Sequence, residues 1–242
     1  VGMAVAQQWL AATYNKPGFD VFDFNVYAFG GDGCMMEGIS SEAASIAGHL
    51  KLSNLCWIYD QNHVTIEGHT DIAFTEDVAA RFLAYGWNVT RVTDANDVTQ
   101  IAAAFEEFLK TDDRPTLIVV HSHIGYGAPD KHDTPSAHGE PLGEEEVRLT
   151  KQFFDFDPDR SFVVPKGVRE HFADVMGKRG AKCRRDWNAM MKRYAAKFPK
   201  LAAQLEHIDG RTLPKGWDRK IPNFAADAKG MSTRDASGKV LN

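Results

Sequence analysis

Through residue 123 two textures alternate along the chain: short continuous apolar runs, and longer segments with apolar residues three or four positions apart. The runs are "NVYAFG" (25–30), "NLCWIYD" (54–60), "WNVTRV" (87–92) and "PTLIVVHSH" (115–123). Runs of this length suit buried strands, and the first is expected to be buried on both faces. Before the first of them, residues 1–15 carry Met3, Val5, Ala6, Trp9 and Leu10 at helical spacing and stop before the breaker cluster "NKPG". Residues 37–50 are rich in small, helix-compatible side chains. Residues 75–86 offer Thr75 as an N-cap, acids in the first turn and a glycine stop. Residues 97–110 place Val98, Ile101, Phe105, Phe108 and Leu109 on one face. Strands alternating with such helices predict βαβ crossovers, hence an α/β fold whose parallel sheet carries helices on both faces.

Beyond residue 123 the rhythm changes. Residues 124–143 hold glycines, prolines and histidines without periodicity, and a loop of that length in a compact domain is usually functional or disordered. Short helices are expected from about 144, one with a core stripe of Trp187, Met190, Met191, Tyr194 and Phe198. Residues 207–242, with Pro214 and Pro222, read as an irregular linker. The expected segments are therefore 1–143, 144–206 and 207–242. The chain opens directly in helical spacing with neither a cap nor an initiator methionine, so it is expected to be part of something longer.

Composition narrows the function. A formal charge of −5 and a pI near 6.0, without a basic patch, argue against nucleic acid as a partner. No apolar stretch approaches the roughly 20 residues that span a bilayer, and no signal-peptide pattern opens the chain. Cys34, Cys56 and Cys183 are odd in number and lack CxxC spacing, which fits a reducing, cytoplasmic setting and no zinc or disulfide framework.

The candidate chemistry lies in "GGDGCMMEG" and "DQNHVTIEG". Asp32 follows the first apolar run and Asn62 the second. In a parallel sheet ligands bind at the carboxyl ends of the strands, so neighbouring strands would bring the two side chains together. A carboxylate, an amide oxygen and a backbone carbonyl suit a hard divalent cation of the magnesium kind, which tends to share its shell with substrate phosphates. Gly31 and Gly33 would let the backbone turn sharply beside a bulky anion, and N–H groups of the next helix would bind phosphate oxygens. The G-x-G-x-x-G spacing of a dinucleotide fold and the Walker lysine are both absent.

These motifs, with "GDGCMMEGISSEA", "LAYGWNV", "IGYGAP", "HGEPLG" and "LPKGWDRKIPNFAADAKGMSTRDAS", resemble the transketolase family of thiamine-diphosphate enzymes, in order along essentially the whole chain. The resemblance implies a thiamine-diphosphate-binding fold followed by a helical and irregular connector. It implies Asp32, Asn62 and the carbonyl of Val64 as ligands of Mg2+, with Ca2+ or another divalent ion as substitutes. It further implies Gly33 as a backbone contact to the diphosphate, Ile66 beside the thiazolium ring, His138 near the diphosphate and reacting carbon, and Glu37 near a dimer interface. His121, His123 and His132 have no secure match in the family pattern, and His49 and His63 are expected to pack or face solvent. The implied activity is reversible transfer of a two-carbon ketol unit from a ketose phosphate to an aldose phosphate, a reaction of pentose phosphate metabolism, in a homodimer. The alternatives are another thiamine-diphosphate enzyme such as dihydroxyacetone synthase, or a noncatalytic cofactor-binding fragment or subunit needing a partner chain. The family's aminopyrimidine-activating glutamate has no counterpart in these residues.

Overall fold

The computed structural model describes residues 1–226 and 229–241, and the chain divides into two compact units, 1–175 and 176–242. In the first unit, helix α1 (Gly2–Tyr14) precedes strand β1 (Val26–Gly31). Two helices in tandem, α2 (Asp32–Met36) and α3 (Gly38–His49), lead to β2 (Leu55–Gln61). Then come α4 (Val78–Ala84), β3 (Asn88–Val92), α5 (Val98–Lys110) and β4 (Thr116–His121). The strands pair in parallel in the order β1-β2-β4-β3, so all of them deliver their C-terminal ends to one edge.

Period-two alternation sorts the side chains onto two faces. Val26, Leu55, Tyr59, Leu117 and Val119 point to one side, where they pack with Ala4, Ala44, Ala47, Val78, Ala79 and Phe82 from α1, α3 and α4. Cys56, Ile58, Ile118 and Val92 point to the other, against Ala104 and Phe108 of α5. Helices thus cover both faces. Small residues let α3 lie close to its neighbours, and a Cβ on Gly48 would land on the Tyr85 carbonyl. Backbone cannot yield as a flexible side chain can, so Gly48→Ala is expected to lower stability by about 3 kcal/mol. Chemical denaturation checks it, and an unchanged midpoint would refute the close approach.

Several sequence expectations give way to the structure. β1 is not buried on both faces: Tyr27 is 47% and Phe29 80% exposed, because β1 is an edge of the described sheet and α5 reaches only as far as the Tyr27 ring. On α5 the core-facing stripe is the buried Ala104 and Phe108 with the half-buried Ile101 and Phe105, while Val98 and Leu109 lie off it, exposed. The cap of α4 is Asp77 and not Thr75; Asp77 Oδ1 accepts from Ala80 N–H at 3.0 Å. Asp97 caps α5 in the same way, accepting from the amides of Thr99 and Gln100.

The segment after β4 is more ordered than its composition suggests. It contains α6 (Ser136–Gly139) and runs into α7 (Glu144–Phe153). Glu146, buried in α7, accepts from Asp130 N–H at 2.8 Å and fastens the loop to that helix. Gly127, at φ +85°, passes so near Phe153 and Phe154 that a Cβ would lie 2.7 Å from the first ring. Helix α8 (Val168–Phe172) and a π-helical turn (Ala173–Gly177) follow.

The second unit is helical: α9 (Lys178–Lys197), α10 (Pro199–Asp209) and α11 (Thr233–Leu241). At 20 residues α9 is longer than the short helices expected here, and α11 lies in a segment expected to be irregular. Of the expected stripe only Tyr194 is fully buried, and Trp187 is 44% exposed. The last of the quoted family-like segments includes Asp227 and Ala228, which are outside the described residues.

Candidate cofactor and metal site

At the C-terminal edge of the sheet, Gly31 of β1 lies opposite Asp60 of β2. Asp32 and Asn62, each one residue beyond its strand, are therefore neighbours. Asp32 is 3% exposed. Its Oδ1 accepts the Tyr59 hydroxyl at 2.6 Å, and its Oδ2 accepts the backbone N–H groups of Asn62 at 3.1 Å and His63 at 2.8 Å. Burial first, then the hydrogen bond to Asp32 and the charge on it, push the Tyr59 phenol well above its ordinary range, so the hydroxyl stays a donor at neutral pH. Burial likewise pushes the Cys56 thiol, in the middle of the sheet, up to about 12, which leaves it an inert core group.

The turn after β2 is closed on itself. His63 adopts φ +60°, its carbonyl accepts Thr70 N–H at 3.0 Å, and Thr65 N–H reaches the Gly68 carbonyl at 2.8 Å. Asn62 Oδ1 accepts from Val64 N–H at 3.0 Å, and its Nδ2 donates to Asp60 Oδ2 at 3.4 Å. Asp60 also receives the Ser122 hydroxyl from the segment after β4. Ile66 sits at the tip of this turn, 69% exposed.

Does this arrangement suit a divalent cation? Asp32 is a buried acid with no cationic side chain at ion-pair distance among the described residues. The carbonyl of Val64, a residue 2% exposed, accepts no hydrogen bond among the described residues. A buried carboxylate, an amide oxygen and an unpaired carbonyl on one short turn form a hard, all-oxygen donor set, and a buried carboxylate without a counter-charge is costly unless a cation comes to it. The residues present fit the group.

The other sequence candidates are placed less centrally. Gly31 and Gly33 both have negative or extended φ, so neither turn rests on glycine's left-handed freedom, and a Cβ on Gly33 would meet open space. The helix that Asp32 opens has only five residues, too short for a strong dipole argument, so any anion contact there rests on individual N–H groups. Glu37 is exposed at the extended junction between α2 and α3 and caps neither with its side chain. His138 is exposed in the short helix α6. Tyr59, Asp60 and Ser122 were not singled out by the sequence pattern. Tyr59 read only as part of an apolar run, although its distance of three residues from Asn62 places it at the same strand end. Arg81 of α4 ties α2 in place, donating to the Met35 carbonyl at 2.9 Å while pairing with Glu76 at 2.6 Å.

A parallel α/β sheet whose C-terminal edge gathers a buried acid and an oxygen-lined turn belongs to the class of α/β domains that bind their ligands at the carboxyl ends of the strands. By its residues 1–214, which match the description "Transketolase, thiamine diphosphate binding domain", the chain belongs to the transketolase family. Over its full length it is 47% identical to transketolase 1 of Saccharomyces cerevisiae and 46% identical to the transketolase of Geobacillus stearothermophilus, covering 35% and 36% of them. The fold is similar to a crystal structure of transketolase from Pichia stipitis in complex with sedoheptulose-7-phosphate, with a TM-score of 0.93 and 42% identity over 99% of this chain and 35% of that one. Transketolase from Leishmania mexicana gives 0.92 at 36% identity. The chain thus spans about a third of the length of these relatives.

Proposed function

We propose that the protein of which this chain forms the diphosphate-binding part is a transketolase, acting as a homodimer in the cytoplasm on sugar phosphates. In this reading residues 1–143 are the diphosphate-binding domain, 144–206 a helical extension and 207–242 a connector. The observation that carries it is the convergence of Asp32, Asn62 and Val64 on one strand edge, in a chain of this family. Among the described residues no helix is long and apolar enough to cross a membrane.

Thiamine diphosphate, when bound, supplies the electron sink that lets a C–C bond beside a carbonyl break and re-form. Asp32, the Asn62 amide oxygen and the Val64 carbonyl would hold Mg2+, whose charge would offset that of the diphosphate. The Gly33 backbone, with open space before it, would contact a phosphate oxygen. Ile66 would cover the apolar face of the ring system and exclude water. His138 would donate a hydrogen bond to the oxygen on which charge develops, an interaction strongest in the transition state. Glu37, exposed beside the site, would meet the second subunit.

His138→Ala is accordingly expected to lower kcat by about 100-fold while leaving the melting temperature unchanged, since removing one oxyanion-type donor typically costs that much. Steady-state kinetics decide, and equal kcat would return His138 to an ordinary loop residue. The reaction itself is tested with xylulose 5-phosphate as donor and either ribose 5-phosphate or formaldehyde as acceptor. Transfer to the aldose phosphate supports the proposal. Transfer only to the one-carbon aldehyde, which yields dihydroxyacetone, would move the protein to dihydroxyacetone synthase.

A further inference from the structure

Two histidines and an aspartate meet just beyond β4, apart from the Asp32 turn. His123 Nδ1 lies 2.8 Å and His132 Nε2 3.2 Å from the same oxygen, Oδ2 of Asp133. The centroids of the two imidazoles are 5.0 Å apart with the rings tilted by 42°, and the three ligand atoms all lie within 4.8 Å of one another. The other carboxylate oxygen, Asp133 Oδ1, is buried and has no hydrogen-bond partner among the described residues. That is unusual for a carboxylate otherwise so well supplied with donors, and an orphaned buried oxygen calls for an explanation.

The local backbone is built around this meeting. Asp133 adopts φ +55°, a left-handed conformation costly for a residue other than glycine. It is held there by its N–H on the Ile124 carbonyl at 2.9 Å, while His132 N–H reaches the Ala128 carbonyl at 3.0 Å. These bonds fold residues 123–133 back so that both ends of the segment present a ligand.

We propose that His123, His132 and Asp133 form a binding site for a first-row divalent ion of the zinc class, separate from the site proposed for Mg2+. The chemistry selects the ion. Two imidazole nitrogens and a carboxylate are a borderline donor set that favours Zn2+ over Mg2+, which prefers oxygen alone. The geometry agrees. With Zn–N and Zn–O bonds of about 2.0–2.1 Å, neighbouring ligands of a tetrahedral site stand roughly 3.3 Å apart and of an octahedral one roughly 2.9 Å. The two nitrogen–oxygen separations, 2.8 and 3.2 Å, already match such edges. Only the gap between the nitrogens has to close, by rotation of half-exposed rings. Three protein ligands leave one position open to water or to a ligand at the sheet edge, where the His121 ring centroid is 5.4 Å from that of His123.

The experiment loads the chelator-stripped full-length protein with Zn2+ in excess Mg2+, removes free metal by gel filtration, and counts bound zinc by mass spectrometry. The parent is expected to retain about one zinc per chain. His132→Gln and Asp133→Asn are expected to reduce that at least tenfold, and Cys183→Ser, at an exposed cysteine outside both sites, to leave it unchanged. Asparagine tolerates the left-handed conformation at 133, so the second variant keeps the loop's shape, and thermal melting of the metal-free proteins verifies this. Co2+ in place of zinc is expected to give a visible spectrum without a thiolate charge-transfer band, which separates this site from capture by Cys34 or Cys183. Zinc retained in both loop variants, or none bound by the parent, would overturn the proposal and leave an ordinary hydrogen-bonded cluster.

Discussion

Asp32→Ala is expected to weaken magnesium-dependent binding of thiamine diphosphate by more than 100-fold, and to destabilise the fold as well. The first effect follows from removing both a ligand and the negative charge that a cation needs. The second follows from what the carboxylate does without any cation: it accepts the Tyr59 hydroxyl and two backbone amides in a nearly buried place. Stranding a buried donor costs about 1–3 kcal/mol, and several lose their acceptor together, so a loss of roughly 3 kcal/mol is expected. Tyr59→Phe separates the two effects. It removes one hydrogen bond, at about 1 kcal/mol, and loosens the ligand without deleting it, so cofactor binding is expected to weaken by about 10-fold. Calorimetric titration with and without magnesium, on full-length protein, measures both variants. Undiminished binding by Asp32→Ala would remove Asp32 from the metal site.

The order of the elements was readable because burial on a parallel sheet leaves a strong mark. β4 is a solid apolar run since residues of both parities are covered: Leu117 and Val119 by one layer of helices, Ile118 by the other. β1 misleads for the same reason in reverse. Its apolar Tyr27 and Phe29 are alike in composition to buried residues, yet they stand on the less covered face of an edge strand. Apolarity records that a side chain avoids water somewhere, not within which surface it does so. The edge site was partly readable, because Asp32 and Asn62 each stand directly after a strand. The supports were not: Tyr59 donates across to a residue 27 positions away, and the turn at His63 depends on a left-handed φ that no local motif announces. The histidines after β4 carried no periodic signal at all, and only the fold-back of residues 123–133 brings His123 to His132 and Asp133.

The 242-residue chain by itself is expected to show no ketol transfer from xylulose 5-phosphate to ribose 5-phosphate, whereas the full-length protein is expected to be active and to sediment as a dimer. The reason is the openness of the site. Ile66, which would cover the cofactor ring, is 69% exposed, and His138 projects from a short exposed helix. A ring bound at this edge would have protein on one side only, leaving water free to reach a reacting carbon. Enclosing it needs a second surface, and the apolar groups beside the site are suited to meet one. Phe29 is 80% exposed, Ile39 67% and Ile72 77%, on β1, on α3 and on the turn Thr70–Ile72 that closes onto the His63 carbonyl. Residues of this kind are ordinarily found in obligate interfaces, which bury about 2,000 Å² or more. The chain covers only 36% and 35% of two transketolase relatives. Sedimentation and a coupled ketol-transfer assay on both proteins test this together. Robust turnover by the purified 242-residue chain would show that one surface suffices and that the acid activating the cofactor lies among these residues.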